Sequence, residues 1–370
     1  MASKIIFTVN PGATTTKCAL YRIEKGALEE IAYENIEHPD SIINQFDSIA
    51  SQVDYREEIV REFIEKHTDS DDTILACAGR GGMLTPVPSG VIEINEELEQ
   101  FSLHTPVYEH ASNLGAPLAF RTANIYGVKS YIVDPVGVDE FPPIARISGS
   151  PDFPRFSFVH ALNIRATIRR FASDIGKPFN ETRCVIAHMG GGFSIAAFCG
   201  GSIVDNDNRM ETAAFTPERA GGVPPIPLVN ACFSGKYTKK EIMKKLYGEA
   251  GLYAYLGTKD VREVLKRIDN NDDYAELIYN AMIYQIGKAI AAMASVLEFS
   301  MDGIILTGGL AFSEKIVSDI DKRVGRISDI HVYPGSNENL SLAENVLRVI
   351  NNEETPMQWP VEVKGDKTCP

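Results

Sequence analysis

Three glycine-rich turns carry the side chains best suited to chemistry in this chain. They are Asn10-Pro-Gly12-Ala-Thr14-Thr-Thr-Lys17, His188-Met-Gly190-Gly191-Gly192 and Thr307-Gly308-Gly309-Leu310. Glycines let a backbone approach a ligand closely and let successive N–H groups converge on one anion, while hydroxyls add donors without bulk. The third turn runs into a helix start at Ser313, a suitable N-cap, and a helix N-terminus favours an anion or a closely stacked ligand. Two further loops set a guanidinium among glycines: Gly79-Arg80-Gly81-Gly82 and Arg219-Ala-Gly221-Gly222. Arginines so exposed suit carboxylate or phosphoryl oxygens, which they bind bidentately. His110, Asn113, Asp134, His160, Asp260, Arg262 and Glu338 complete the polar residues in Gly/Pro-rich or capping contexts. Polyphosphate chemistry is the reading these types support.

The elements around the turns repeat. An apolar β-branched run precedes Asn10 and another strand-like run follows Thr16; Arg183 to Cys199 has the same grammar. Aligning Asn10 with His188 puts Gly12 on Gly190 at an offset of 188 − 10 = 178, close to half the chain. The spacing predicts strands over Ser130–Val133 and before Thr307, and helices over Phe156–Ile175, Tyr274–Leu297 and from Ser313. Strands alternating with helices give an α/β class. The expected organisation is two copies of one domain, residues 1–155 and 156–350, with an extended tail over 351–370.

The chain has 370 residues, 44% apolar and 23% charged, an ordinary globular composition. Thirty-six Lys+Arg against fifty Asp+Glu leave −14, and no basic stripe is present, so nucleic-acid binding is disfavoured. The longest apolar stretch, Ile286 to Leu297, contains Lys288 and is too short to span a bilayer, so no membrane role is expected. Residues 1–10 lack secretion-signal features, and six cysteines without C-x-x-C spacing predict reduced thiols in a cytoplasmic protein. His38, His67, His104 and His331 belong to no motif and are expected at the surface. No P-loop, G-x-G-x-x-G, kinase H-R-D or G-x-S-x-G signature occurs.

As an ordered set, Val9–Lys17, Ala78–Gly82, His110–Ala116, Asp134–Glu140, His160–Asn163, Ala187–Gly192, Thr216–Arg219, Tyr255–Thr258 and Leu306–Gly309 resemble the acetate kinase family of short-chain carboxylate kinases, and within it the butyrate kinases. The resemblance implies a duplicated ribonuclease H-like domain of the sugar kinase/Hsp70/actin type, two lobes around a nucleotide cleft. It implies reversible transfer between ATP and a short fatty acid, giving acyl phosphate and ADP, with Mg²⁺. By that resemblance Arg219 stabilises the transferring group, Arg80 binds the carboxylate, and His188 and His160 donate to the phosphoryl oxygens. Asp134 and Glu338 position Mg²⁺. Asn10, Gly12, Thr14, Lys17 and Gly190 to Gly192 hold phosphates, and Asp260, Arg262, Gly308, Gly309 and Leu310 frame the adenosine. Arg80, His110, Asn113 and Val159 form the substrate pocket. Arg80 stands in for a family arginine where this chain has Cys77, and Val159 replaces a family Phe, leaving room for a longer or branched acyl chain. A homo-oligomer is expected by analogy.

A carboxylate is already an anionic nucleophile at neutral pH, so such a reaction needs no general base. Positioning and cations around the transferring group do the catalysis. Two alternatives stay open at this stage: a sugar or polyol kinase on the same fold, and a non-enzymatic nucleotide switch of the actin or Hsp70 kind.

Overall fold

The computed structural model describes residues 3–207 and 214–361. Of these, 3–139, 161–165 and 337–361 form one compact unit, and 140–160, 166–207 and 214–336 form another. Both units are discontinuous, so no single cut at 155/156 separates them.

The first unit is built on a seven-stranded sheet ordered β12-β5-β6-β4-β1-β2-β3. Its strands are β1 (Lys4–Pro11), β2 (Thr15–Glu24), β3 (Ala27–Glu37), β4 (Thr73–Arg80), β5 (Val91–Glu93), β6 (Lys129–Val133) and β12 (Met357–Gln358). The second unit has β7 (Cys184–Met189), β8 (Phe193–Cys199), β9 (Ser202–Asn206), β10 (Gly303–Gly308) and β11 (Ile330–Pro334), ordered β11-β10-β7-β8-β9. In each unit the first three strands form an antiparallel meander, and two further strands add parallel to the first. The 178-residue repeat in the sequence is therefore a repeat of topology, with β5 and β12 as additions to the first copy.

Both faces of β1 are buried, as a central strand requires. Ile5, Phe7 and Val9 pack with the helices Val53–His67 and Gly115–Tyr126, whereas Ile6 faces Leu342, Ala343 and Val346 of the helix Glu338–Ile350. In the second unit Val185, Ala187 and Met189 face the helix Asp273–Val296, whose apolar positions recur at helical spacing. The helix expected over Phe156–Ile175 begins at Ala161 instead, and Ser313 caps the helix Glu314–Val324 as expected. The tail is not merely extended up to residue 361. Its β12 pairs with β5, and Trp359 is buried in the first unit's core.

The first glycine turn rests on a residue that no motif announced. Arg56, fully buried, donates from Nη1 to the carbonyls of Gly12 and Thr15, both at 2.9 Å, and from Nη2 to the Ala13 carbonyl at 3.1 Å. Gln52 Oε1 holds the other edge of the guanidinium. With those carbonyls turned inward, the loop is fixed from behind. His38 sits beside this anchor, its Nε2 2.8 Å from Thr16 Oγ1, and it is buried, contrary to the surface position expected for it. The expectation of reduced thiols holds at Cys18, Cys77, Cys184 and Cys232 and fails at Cys199, which is disulfide-bonded; Cys369 lies outside the described residues. Among the described residues no helix is long and apolar enough to cross a membrane.

Two stability outcomes follow from this anchor. Arg56→Met strips three carbonyls of their donor and should cost about 3 kcal/mol, since a buried unsatisfied group costs ~1–3 kcal/mol and water relieves part of it. A urea midpoint within error of the parent would refute the anchoring role. Burial, reinforced by the Arg56 charge, pulls the His38 pKa down to about 4 from 6.5. Between those values the unfolded chain takes up a proton that the folded chain refuses, so stability falls as pH drops from 6.5 towards 4. His38→Gln should lose less stability than the parent over that window in thermal melts.

Candidate functional site

In the first unit, parallel pairing sets Val9 beside Gly79, which brings the next residues, Asn10 and Arg80, together at the strand ends. Arg80 Nη1 donates to Glu338 Oε2 at 3.0 Å and to Asn10 Oδ1 at 3.4 Å, and Asn10 Nδ2 donates to the same Glu338 oxygen at 2.5 Å. Glu338 opens the helix Glu338–Ile350, capped by the Asn337 side chain. The Arg80 and Glu338 side chains are only 21% and 14% exposed, so this is not a solvated surface pair. A carboxylate lying on Arg80 is therefore already present in the fold, supplied by Glu338.

The glycines around Arg80 serve packing more than exposure. A side chain at Gly79 would collide with the Gly115 carbonyl, one at Gly81 with Pro135 and one at Gly82 with Asn113. Asn113 is correspondingly committed to the backbone. Its Oδ1 accepts from Met83 N at 2.7 Å and its Nδ2 donates to the Tyr108 carbonyl at 2.8 Å. His110 caps the short turn Ala111–Leu114, its Nδ1 accepting from Ser112 N. Thr14 is exposed and Lys17 half-buried. Asp134 follows β6, buried, with a left-handed backbone (φ 39°) unusual for a residue with a side chain. Its Oδ1 accepts from Gly90 N at 2.8 Å and lies 3.1 Å from Arg165 Nε.

In the second unit His188, the penultimate residue of β7, lies opposite Ser194 on β8. His160, at the start of the helix Ala161–Asp174, stacks its ring on His188 with centroids 4.3 Å apart, and its Nδ1 lies 2.8 Å from Ser194 Oγ. The turn Gly190–Gly192 comes next, and Thr216 fixes it: the Thr216 hydroxyl donates to the Gly191 carbonyl at 2.7 Å and accepts from the backbone N–H groups of Glu218 and Arg219. One threonine thus locks two loops to each other. Arg219 lies flat against Gly192, where an added Cβ would come within 2.5 Å of Nη1. That Nη1 is buried with no hydrogen-bond partner among the described residues, and burial pulls the guanidinium pKa down. An unpaired buried donor is costly, and a ligand oxygen would satisfy it.

The residues expected around an adenosine are arranged unevenly. Gly308 (φ 85°) packs its Cα on the Met189 backbone, Gly309 is exposed with open space around it, and Leu310 is half-buried in the turn Gly309–Phe312. Asp260 caps the helix Val261–Asp269 and spends both carboxylate oxygens on Arg262, which holds its pKa down at about 2. Both are exposed. Val159 is fully buried. The chain thus gathers Asn10, Arg80 and Glu338 in one unit, and His160, His188, Gly190–Gly192 and Arg219 in the other. Arg56, Arg165, Ser194 and Thr216 support these groups and were not singled out from the sequence. Of these only Ser194 and Thr216 carried a signal, as the hydroxyl opposite His188 and as the start of the Thr-Pro-Glu-Arg run.

The Acetokinase family model matches residues 158–358. The chain is 42% identical over 351 residues to the probable butyrate kinase 2 of Caldanaerobacter subterraneus subsp. tengcongensis, covering 95% of this chain and 98% of that protein. It is 40% identical over 355 residues to butyrate kinase 2 of Clostridium acetobutylicum, covering 96% and 99%. Its fold is that of the Porphyromonas gingivalis acetate kinase (TM-score 0.72, 19% identity, 94% of this chain and 100% of that one). The Francisella tularensis propionate kinase superposes similarly (TM-score 0.68, 17% identity, 93% and 99%).

Gly192→Ala should displace the Arg219 guanidinium while leaving the strands intact. The expected result is a melting temperature within a few degrees of the parent and at least a tenfold loss of turnover, because the added methyl occupies the guanidinium's place. Unchanged turnover would show that Arg219 has room to move without consequence.

Proposed function

Because the chain belongs to the Acetokinase family and is a carboxylate kinase, we propose that it transfers the γ-phosphoryl group of ATP reversibly to a short aliphatic carboxylate, butyrate or a branched relative such as isobutyrate. The bond from the γ-phosphorus to the ADP oxygen breaks as a carboxylate oxygen bonds to phosphorus. Charge balances at −5 on both sides, and no proton is transferred.

The observation that carries this reading is the buried, unpartnered Nη1 of Arg219 against the glycine turn. It is a donor held ready where an equatorial phosphoryl oxygen would satisfy it, which is stabilisation arranged in advance. His188 and His160 add ring N–H groups beside the same turn. Arg80 receives the substrate carboxylate in the place where Glu338 now lies, and Asn10 holds a phosphate oxygen. Mg²⁺ fits the chemistry of the acids present: it binds through one or two carboxylates plus substrate phosphates, and no cluster of three or more metal-ligating side chains stands among the described residues. Asp134 and Glu338 would hold it, and when bound it supplies neutralisation of the phosphate charge. With Glu338 turned away, the Arg80 guanidinium would be free for the substrate carboxylate.

The relatives' names favour this reading over a sugar kinase or a nucleotide switch. The reading also includes a homo-oligomer, supported by the helix Pro225–Cys232, an apolar segment that buries none of its residues. Ile226 is 69% exposed and the adjoining Phe233 88%. An exposed apolar surface of this kind supports that reading.

Arg219→Ala should lower turnover with acyl phosphate and ADP roughly 10³-fold, the size reported for arginines that stabilise phosphoryl transfer. Near-normal kcat in the folded variant would overturn the assignment. Trapping the product with hydroxylamine should give a hydroxamate from butyrate or isobutyrate; highest kcat/KM with acetate would refute the proposed acyl class. Ile226→Lys with Phe233→Ser should shift the sedimentation profile towards monomer, and an unchanged profile would place the interface elsewhere.

A further inference from the structure

We propose that Arg165 is a positioning residue that acts through Asp134, an inference that rests on the reading of Asp134 as a metal-handling carboxylate. Arg165 is 5% exposed and its Nε lies 3.1 Å from Asp134 Oδ1. The contact is delivered by packing. Leu162, three residues earlier on the same helix face, is buried in one core with Val133, the residue immediately before Asp134. Shifting that helix moves the cation and the carboxylate's neighbour together.

Asp134 needs such support. Its left-handed backbone is a strained conformation that persists only where the surroundings over-determine it. Asp134 N donates to the Gly90 carbonyl at 3.0 Å, Gly90 N donates to Asp134 Oδ1 at 2.8 Å, and Arg165 meets the same oxygen. The Gly90 and Arg165 contacts on Oδ1 restrain the rotation of the carboxylate. The guanidinium also shares the negative charge, so it competes with a divalent cation. Arg165 would therefore hold the carboxylate in place and weaken its attraction for a cation. Orientation is gained at some expense of metal affinity.

The test uses the purified full chain, with Mn²⁺ alone as the metal probe, read by electron paramagnetic resonance, alongside turnover. Arg165→Met should bind Mn²⁺ about threefold or more tightly, because a neighbouring positive charge is gone. It should also lose roughly 10²-fold in kcat with KM for the carboxylate changed less than threefold, as expected from a misplaced group. Arg165→Lys keeps the charge and should restore the parent Mn²⁺ affinity with only partial recovery of kcat; it also serves if the Met variant fails to fold. In the double variant Arg165→Met/Asp134→Asn, the losses should not add, since one residue acts through the other. Additive losses, or an Arg165→Met variant with a lowered melting temperature but parental kcat and Mn²⁺ affinity, would reduce Arg165 to a structural residue and leave the Asp134 reading standing. An Asp134→Asn variant with parental kcat and Mn²⁺ affinity would bring down both.

Discussion

A glycine loop keeps its shape only if its carbonyls are taken from behind, and this constraint is met in the first two glycine turns. In the first unit the partner is a fully buried guanidinium with no carboxylate against it among the described residues; Arg56 is satisfied by carbonyls, a hydroxyl and Gln52. Burying an unpaired cation is expensive unless its donors are used, and here three of those donors' contacts, to the Gly12, Ala13 and Thr15 carbonyls, also shape the loop. In the second unit the same task falls to a neutral hydroxyl, Thr216, together with the Gly190 N to Gly192 carbonyl contact at 3.2 Å. The same topology has therefore been stabilised by a charge in one copy and by a threonine in the other.

That difference has a physical logic. The first turn is followed by threonines and a lysine, and a cation behind it reinforces the pull on anions in front. The second turn already faces Arg219, whose burial leaves it strained in solvation; a second buried cation nearby would deepen that penalty. Neutral fixation by Thr216 adds no second buried charge beside the Arg219 guanidinium.

Much of this was legible in the sequence, but selectively. Glycine spacing disclosed the turns because close backbone approach excludes other residues, and the offset of 178 disclosed the repeat because both copies need the same strand-turn-strand grammar. Arg56 was invisible because it sits in the amphipathic pattern of Val53–His67, where an arginine looks like any solvated helix residue; only tertiary contact reveals that it points inward. His38 failed for the same reason, lying just past a strand with polar neighbours. Arg80 was seen as a residue set among flexible glycines, whereas those glycines make room for Gly115, Pro135 and Asn113. The strand β12 and the burial of Trp359 escaped notice because two residues and a proline-rich context give no periodic signal.

The segments 161–165 and 337–361 belong with strands that are made at the start of the chain. On the ribosome, β1 to β6 emerge early, yet the helix that covers one face of their sheet, and the glutamate that meets Arg80, come only after nearly all of the second unit has been translated. The early strands must wait with that face uncovered, whereas most of the second unit is synthesised without interruption. Nascent chains halted before residue 337 should thus be the species that chaperones recognise, and the vulnerability of this protein during its synthesis is concentrated in its first half.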